Sequence, residues 1–160
     1  MGMDHDADPR WLAFYGTLQV SARILEVVGG RMERETGLQP AWFEVLAQIH
    51  KGPVRMGELA ESLTLSRGGA TRLVARMEQE GLVEREIPKD DRRATYARIT
   101  DKGLKAFEQA MPLHLQAVEE TFSRYITDEQ AEVMREAHAR VLLGNGMECA
   151  PVTDAYLEPQ

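Results

Sequence analysis

Apolar residues recur at every third or fourth position in the two outer parts of the chain, which is the spacing of amphipathic α-helices. The first stripe begins after Asp8-Pro9, a capping residue followed by a proline at the first helical position, and continues to Gly37. Further helices are predicted to begin at Pro40, after Thr100 and after the capping box Thr127-Asp-Glu-Gln130. The outer parts of the chain are therefore predicted to be long helices.

Shorter elements follow one another in the middle of the chain. Residues 56–63 predict a short helix, which Thr64-Leu-Ser66 separates from a second helix that extends to about Gln79. A three-residue turn between two helices is the helix-turn-helix spacing. Gly81 is placed to end the second helix, and residues 82–87 and 95–99 are predicted to form a hairpin. The sequence thus predicts a mainly α fold with a small β-wing, a winged helix-turn-helix flanked by long helices.

The polar side of the second of these helices carries the candidate chemistry. Ala70, Val74 and Met77 share its apolar side, and no acidic residue occurs between Ser66 and Arg76. Phosphates repel carboxylates, and arginine can bridge the O6 and N7 atoms of guanine, so this helix suits the major groove of double-stranded DNA. The predicted DNA-binding residues on it are Ser66, Arg67, Gly68, Thr71, Arg72 and Arg76.

The tip of the predicted hairpin is a second candidate for DNA contact. Lys89, Arg92 and Arg93 place three cations there, next to Asp91. A narrow hairpin tip fits the minor groove, where the negative potential attracts arginine.

From about Trp11 to Leu143 the chain resembles the MarR family of bacterial winged-helix transcriptional regulators. The matching pieces are Gly37-Leu-Gln-Pro40, Gly57-Glu-Leu-Ala60, Leu63-Thr-Leu-Ser66, Thr71-Arg-Leu-Val-Ala-Arg-Met-Glu78, Gly81-Leu-Val-Glu-Arg85, Asp91-Arg-Arg93 and Ile99-Thr-Asp-Lys-Gly103. One departure is Gly68-Gly69, where the family more often has larger polar residues.

The resemblance implies a homodimeric regulator, a repressor rather than an activator, that binds a near-palindromic operator. It implies that Arg93 reaches the minor groove and that Asp91 helps to hold the wing. It also implies the domain organisation: residues 9–37 and 101–143 form a helical dimerisation region and residues 38–100 form the DNA-binding domain. Residues 1–8 and 144–160 show no periodicity and are expected to be flexible ends.

The resemblance further implies a small aromatic or phenolic effector that releases the protein from DNA. The residues expected to line its pocket are Trp11, Tyr15, Trp42, Met111 and His114. Because methionine and aromatic residues at helical spacing usually form core, packing remains the alternative role for Met111, as it does for Phe43.

Composition and charge limit the classes of function that remain open. The net charge is −7, yet residues 55–98 hold nine basic and eight acidic residues, so the excess of acid lies outside the predicted DNA-binding segment. With one cysteine and no long apolar run, a cytoplasmic protein without membrane contact is expected. No catalytic motif, metal-ligand spacing or cofactor motif is present, so an enzyme is not expected. The competing interpretation is a winged-helix module for protein interaction or dimerisation without operator binding.

Overall fold

Six α-helices and a three-stranded antiparallel sheet make up the part of the chain that the structure describes, residues 8–88 and 94–147 of a computed structural model. In chain order the elements are α1 (Pro9–Thr36), α2 (Pro40–Ile49), β1 (Val54–Arg55), α3 (Met56–Ser62), α4 (Arg67–Gln79), β2 (Val83–Glu86), β3 (Tyr96–Ile99), α5 (Asp101–Thr121) and α6 (Asp128–Gly144). The predicted fold class, mainly α with a small β-wing, is confirmed.

The helix ends follow from their capping residues. The Asp8 carboxylate accepts a hydrogen bond from the backbone N–H of Arg10 at the start of α1, and Gly37 ends that helix at φ +72°. The capping box at the start of α6 is also formed, with both of its hydrogen bonds between Thr127 and Gln130 present. These predictions from local sequence are confirmed.

The C-terminal boundary lies later than the sequence pattern indicated. Gly144, predicted as the first residue of a flexible tail, is the last residue of α6. Beyond it, the N–H of Met147 donates to the carbonyl of Leu142, and Gly146 has φ +73° and donates to Leu143. This is a Schellman cap, which carries no hydrophobic periodicity and so escapes a search for apolar stripes.

The sheet joins the predicted hairpin to a strand that the sequence did not reveal. β2 and β3 pair antiparallel with Val83 opposite Ile99, as the hairpin prediction requires. β1 adds Val54 and Arg55 to the other edge of β3, where Val54 lies opposite Ala97. Two residues are too few to show an alternating pattern, so β1 left no signal in the sequence.

The hydrophobic core lies within the winged helix-turn-helix and against the first half of α5. Phe43 of α2 is fully buried, and its ring stacks on Phe107 of α5 with centroids 5.5 Å apart. The predicted apolar side of α4, formed by Ala70, Val74 and Met77, is buried in this core. The opposite side of α4 is therefore fixed facing outward.

The outer helices bury much less of their apolar surface. The first fully buried residue of α1 is Val28, and no residue of α6 is buried. Arg31 ties the second half of α1 to α5 through Glu120, 2.8 Å away. In residues 8–88 and 94–147, no helix combines the length and the apolar character needed to cross a bilayer. The first half of α1 and all of α6 thus extend from the core with exposed apolar side chains.

Candidate DNA-binding site

The turn between α3 and α4 fixes the direction of α4. Buried Leu59 and Ala60 hold α3 on the core, and Thr64 reverses the chain with φ +54°. The Ser66 hydroxyl then accepts a hydrogen bond from the N–H of Gly69 at 3.1 Å and caps α4. Ser66, predicted as a DNA-binding residue, thus occupies the capping position, and its hydroxyl oxygen accepts a hydrogen bond from the first turn of the helix.

The outward side of α4 presents what we call the arginine face, made of Arg67, Gly68, Thr71, Arg72 and Arg76, all exposed. Its three arginines form no ion pair with any residue in the described part of the chain. Seven of the ten other arginines in that part pair with carboxylates: Arg10, Arg23, Arg31, Arg85, Arg98, Arg135 and Arg140. The structure therefore brings together five of the six residues predicted on this helix, with Ser66 at its cap, and leaves the three arginine charges available for phosphate or guanine.

Two polar details distinguish the start of this face. The Thr71 hydroxyl donates to the carbonyl oxygen of Arg67 at 2.8 Å. A Cβ placed on Gly68 would lie 3.5 Å from Nη1 of Arg72 and within 4 Å of no other described atom outside its own helix backbone and chain neighbours. The guanidinium of Arg72 thus lies over the position where a side chain of residue 68 would begin.

Three of the acidic residues near the site have arginine partners. Arg85 of β2 lies 2.6 Å from the carboxylate of Glu78 near the end of α4, and this hydrogen bond lowers the pKa of Glu78. On the wing, Arg98 of β3 pairs with Glu86 of β2 at 2.6 Å and lies 3.8 Å from Glu84. The carboxylates of Glu78, Glu84 and Glu86 are therefore screened by local partners.

The strands at the base of the wing are in place, while its tip falls outside the described residues. Lys89, Asp91, Arg92 and Arg93 belong to the segment 89–93 that the structure does not describe. Their assignment to the minor groove stays a prediction from the sequence.

Comparison with known proteins assigns the chain to a family. The sequence model of the MarR family matches residues 36–94. The HTH-type transcriptional regulator MhqR of Bacillus subtilis is 33% identical over 106 residues, which cover 66% of this chain and 72% of MhqR. The chain belongs to the MarR family. It is a DNA-binding transcriptional regulator with a winged helix-turn-helix fold.

Solved structures of other MarR-family regulators share this fold. AbsC of Streptomyces coelicolor has a TM-score of 0.81 and 23% identity, covering 88% of this chain and 96% of AbsC. Sco3205 of the same organism, solved in complex with DNA, has a TM-score of 0.79 and 24% identity, covering 92% of this chain and 96% of Sco3205.

A groove next to the arginine face contains residues that sequence reasoning missed. It has a volume of about 540 Å³ and lies between α3, the start of α4 and the base of the wing. Its lining includes Arg55, which ends β1, Glu58 and Glu61 of α3, and Arg67 of α4. The sequence could have indicated Arg55 because it is a basic residue directly before the first helix of the helix-turn-helix. Because α3 lines the groove with carboxylates, α4 is the better side of this MarR-family domain for contact with DNA.

The structure places the residues predicted for an effector pocket in two regions of the chain. His114 stacks on Phe43 with ring centroids 4.6 Å apart, and burial lowers its pKa. Trp11 and Tyr15 instead form an aromatic cluster with Phe14 on the exposed start of α1. The other two residues lie at the core: Met111 packs against it, and Trp42 lines a crevice of about 190 Å³ between α2 and α5.

The separation follows from the length of α1. The contact of α1 with α2 is made from Gly29, where an added Cβ would lie 2.8 Å from Cγ of Pro40. A helix rises about 1.5 Å per residue, so Trp11 lies roughly 27 Å further along the axis. Helical spacing in the sequence shows which residues share a face, but it does not show how far apart two helices are where those residues lie.

Proposed function

We propose that the protein is a homodimeric repressor that reads a near-palindromic operator with the arginine face of α4 and is released by a small aromatic or phenolic effector. The observation that carries the proposal is the contrast in charge pairing. Arginines on the arginine face have no carboxylate partner in the described residues, whereas most other arginines there do. A surface that keeps its cations free at the cost of intramolecular ion pairs suits an external polyanion.

The exposed apolar stripe on α1 supports the dimer. Trp11, Tyr15, Leu18 and Leu25 recur at helical spacing on one side of α1, and between 38% and 71% of each residue's surface is exposed. On α6, Val133, Val141 and Leu143 are each more than 60% exposed. Apolar surface of this extent on two helices that the core does not cover is best buried against the same helices of a second copy. Residues 9–37 and 101–143 are the proposed dimerisation region.

A two-fold dimer dictates the form of the operator. Each α4, 13 residues long, would occupy one major-groove segment, and the two-fold axis would relate the two half-sites. Half-site centres are then about 10 bp apart or a multiple of that distance. The wing adds Arg93, with Asp91 orienting it, in the adjacent minor groove.

The effector would act between the dimer helices and the DNA-binding domain. The crevice beside Trp42 lies where the end of α1, α2, the end of α4 and α5 approach one another, with Lys102 on its rim. In a dimer, the aromatic cluster on α1 extends beyond its own core and is available to the partner subunit. A ligand that changes the direction of α5 would change the spacing of the two arginine faces.

Footprinting and sedimentation test this proposal together. The full chain is expected to sediment as a dimer at micromolar concentration and to protect a near-palindromic site in a duplex from its own upstream region. Protection should weaken on addition of small phenols and aromatic carboxylates. A folded monomer, or a protein that binds its upstream region no better than random duplex, would favour the alternative of an interaction module without operator binding.

Regulation of chromosomal DNA also implies that the protein works in the cytoplasm.

A further inference from the structure

Gly68 occupies an exposed position of α4 that folding does not require to be glycine. Its backbone lies outside the left-handed region, and an added Cβ would meet only Nη1 of Arg72, at an ordinary contact distance of 3.5 Å. Glycine destabilises the interior of a helix relative to alanine, because it loses more conformational freedom on folding. The chain therefore gives up helix stability at a surface position where alanine would fit.

Thr71 lies one turn later on the same side of α4, and its hydroxyl proton is used in a hydrogen bond within the helix. The hydroxyl donates to the carbonyl oxygen of Arg67 at 2.8 Å, and the residue is exposed. A threonine hydroxyl has only one proton to donate. Toward a base, Thr71 thus offers its γ-methyl group and a lone pair, while Arg72 beside it offers five N–H donors.

We propose that Thr71 reads thymine: its γ-methyl group contacts the 5-methyl group of a thymine within one or two base pairs of the guanine that Arg72 reads, and Gly68 allows the close approach this contact needs. The inference rests on the proposed function. The thymine methyl is the one apolar group among the edge groups by which the four base pairs are distinguished in the major groove, and a threonine methyl is a known partner for it.

The short side chain of Thr71 explains why glycine is needed at position 68. A threonine side chain is short, so its methyl meets a base only if the helix backbone lies close to the floor of the groove. Residues at positions i, i+3 and i+4 are neighbours on a helix surface, with Cβ atoms about 5–6 Å apart. A side chain at Gly68 would be directed to the same part of the groove as Thr71 and Arg72 and would hold the helix away from it.

Uracil substitution isolates the methyl group without changing base pairing. Each thymine of the protected operator is replaced in turn by deoxyuridine, and the affinity of the full chain for each duplex is measured. Replacement at one thymine in each half-site is expected to weaken binding about 3–5-fold, the effect of losing one buried methyl group. Replacement at other positions serves as the internal control.

Two matched variants then assign the contact to Thr71. Thr71→Ser keeps the hydroxyl and lacks the methyl in both subunits, so it should bind the thymine operator about 10–25-fold more weakly, the product of two such losses, and show no further loss with deoxyuridine. Thr71→Val keeps a methyl and lacks the hydroxyl, so it should retain the sensitivity to deoxyuridine. Gly68→Ala should melt at a higher temperature than the wild type and yet bind the operator at least 3-fold more weakly.

The outcomes separate this inference from the function on which it rests. Uniform tolerance of deoxyuridine by the wild type, equal deoxyuridine sensitivity of Thr71→Ser and the wild type, or undiminished binding by Gly68→Ala overturns the reading of thymine. Loss of the deoxyuridine effect in Thr71→Val overturns it as well, because the hydroxyl would then carry the contact. A wild-type protein that prefers no operator overturns the proposed function itself, and this is seen before any variant is made.

Discussion

Gly103 in the first turn of α5 packs so closely on the turn after α4 that a Cβ there would collide with the carbonyl oxygen of Leu82. Two hydrogen bonds fasten the same junction. Thr100 donates from its hydroxyl to the carbonyl of Gly81 at 2.7 Å, and the Lys102 ammonium donates to the carbonyl of Glu80 at 2.6 Å. The end of α4 is therefore attached to α5, and a change in the direction of α5 moves the arginine face.

Gly103→Ala should destabilise the fold by roughly 1–3 kcal/mol, because the new methyl group overlaps a backbone atom that cannot move without opening the junction. Thermal unfolding of the full chain measures the effect. Gly57→Ala is the matched control, since a Cβ at Gly57 in α3 meets nothing within 4 Å and should leave the melting temperature equal or higher. An unchanged melting temperature for Gly103→Ala would contradict the close packing.

Arg72→Ala should cost roughly 1–3 kcal/mol of operator binding and relax the base preference at one or two positions, as expected for loss of a bidentate contact to guanine. Arg76→Ala should weaken binding to all duplexes similarly and reduce the salt dependence, as expected for a phosphate contact. Arg67→Ala should behave like Arg76→Ala. Titrations against the operator and a scrambled duplex at two salt concentrations check these variants. If Arg72→Ala kept full operator preference, base reading would have to come from another residue.

Leu18→Glu should convert the dimer into a monomer, because it places a charge in the middle of the exposed apolar stripe of α1 that the second copy is proposed to cover. Thr17→Glu adds the same charge at an exposed position outside that stripe and should leave the dimer intact. Sedimentation velocity at micromolar concentration distinguishes the two species. Dimerisation by both variants would show that this stripe is not the interface.

The free energy of unfolding should decrease as the pH falls below about 6.5, because the buried ring of His114 resists protonation in the folded state. Burial lowers the pKa of the folded-state ring, so the unfolded chain takes up the proton first. The contribution is therefore complete above the unfolded-state pKa and decreases as the pH falls toward the folded-state value. His114→Phe removes the titrating group and keeps an aromatic ring against Phe43. Between pH 7 and pH 5 its melting temperature should fall less than that of the wild type; parallel profiles would contradict this role of His114.

The parts of the molecule that follow from neighbouring residues could be predicted from the sequence. Asp8, Gly37 and the capping box at Thr127 act on hydrogen bonds within one turn of themselves, so they set helix ends without help from the rest of the fold. The apolar spacing of Ala70, Val74 and Met77 likewise decided which side of α4 faces outward. For these features, sequence distance and spatial distance are nearly the same.

Charge pairing depended on the tertiary structure. Arg85 and Arg98 count as cations of the DNA-binding segment in the sequence, but the fold places them against Glu78 and Glu86, seven and twelve residues away. Arg67, Arg72 and Arg76 differ from them only in what the fold brings near. The need for glycine at position 103 and the distance between Trp11 and Trp42 also depend on the tertiary structure. Such features depend on how separate elements pack, and no pattern within a single element records the distance to another.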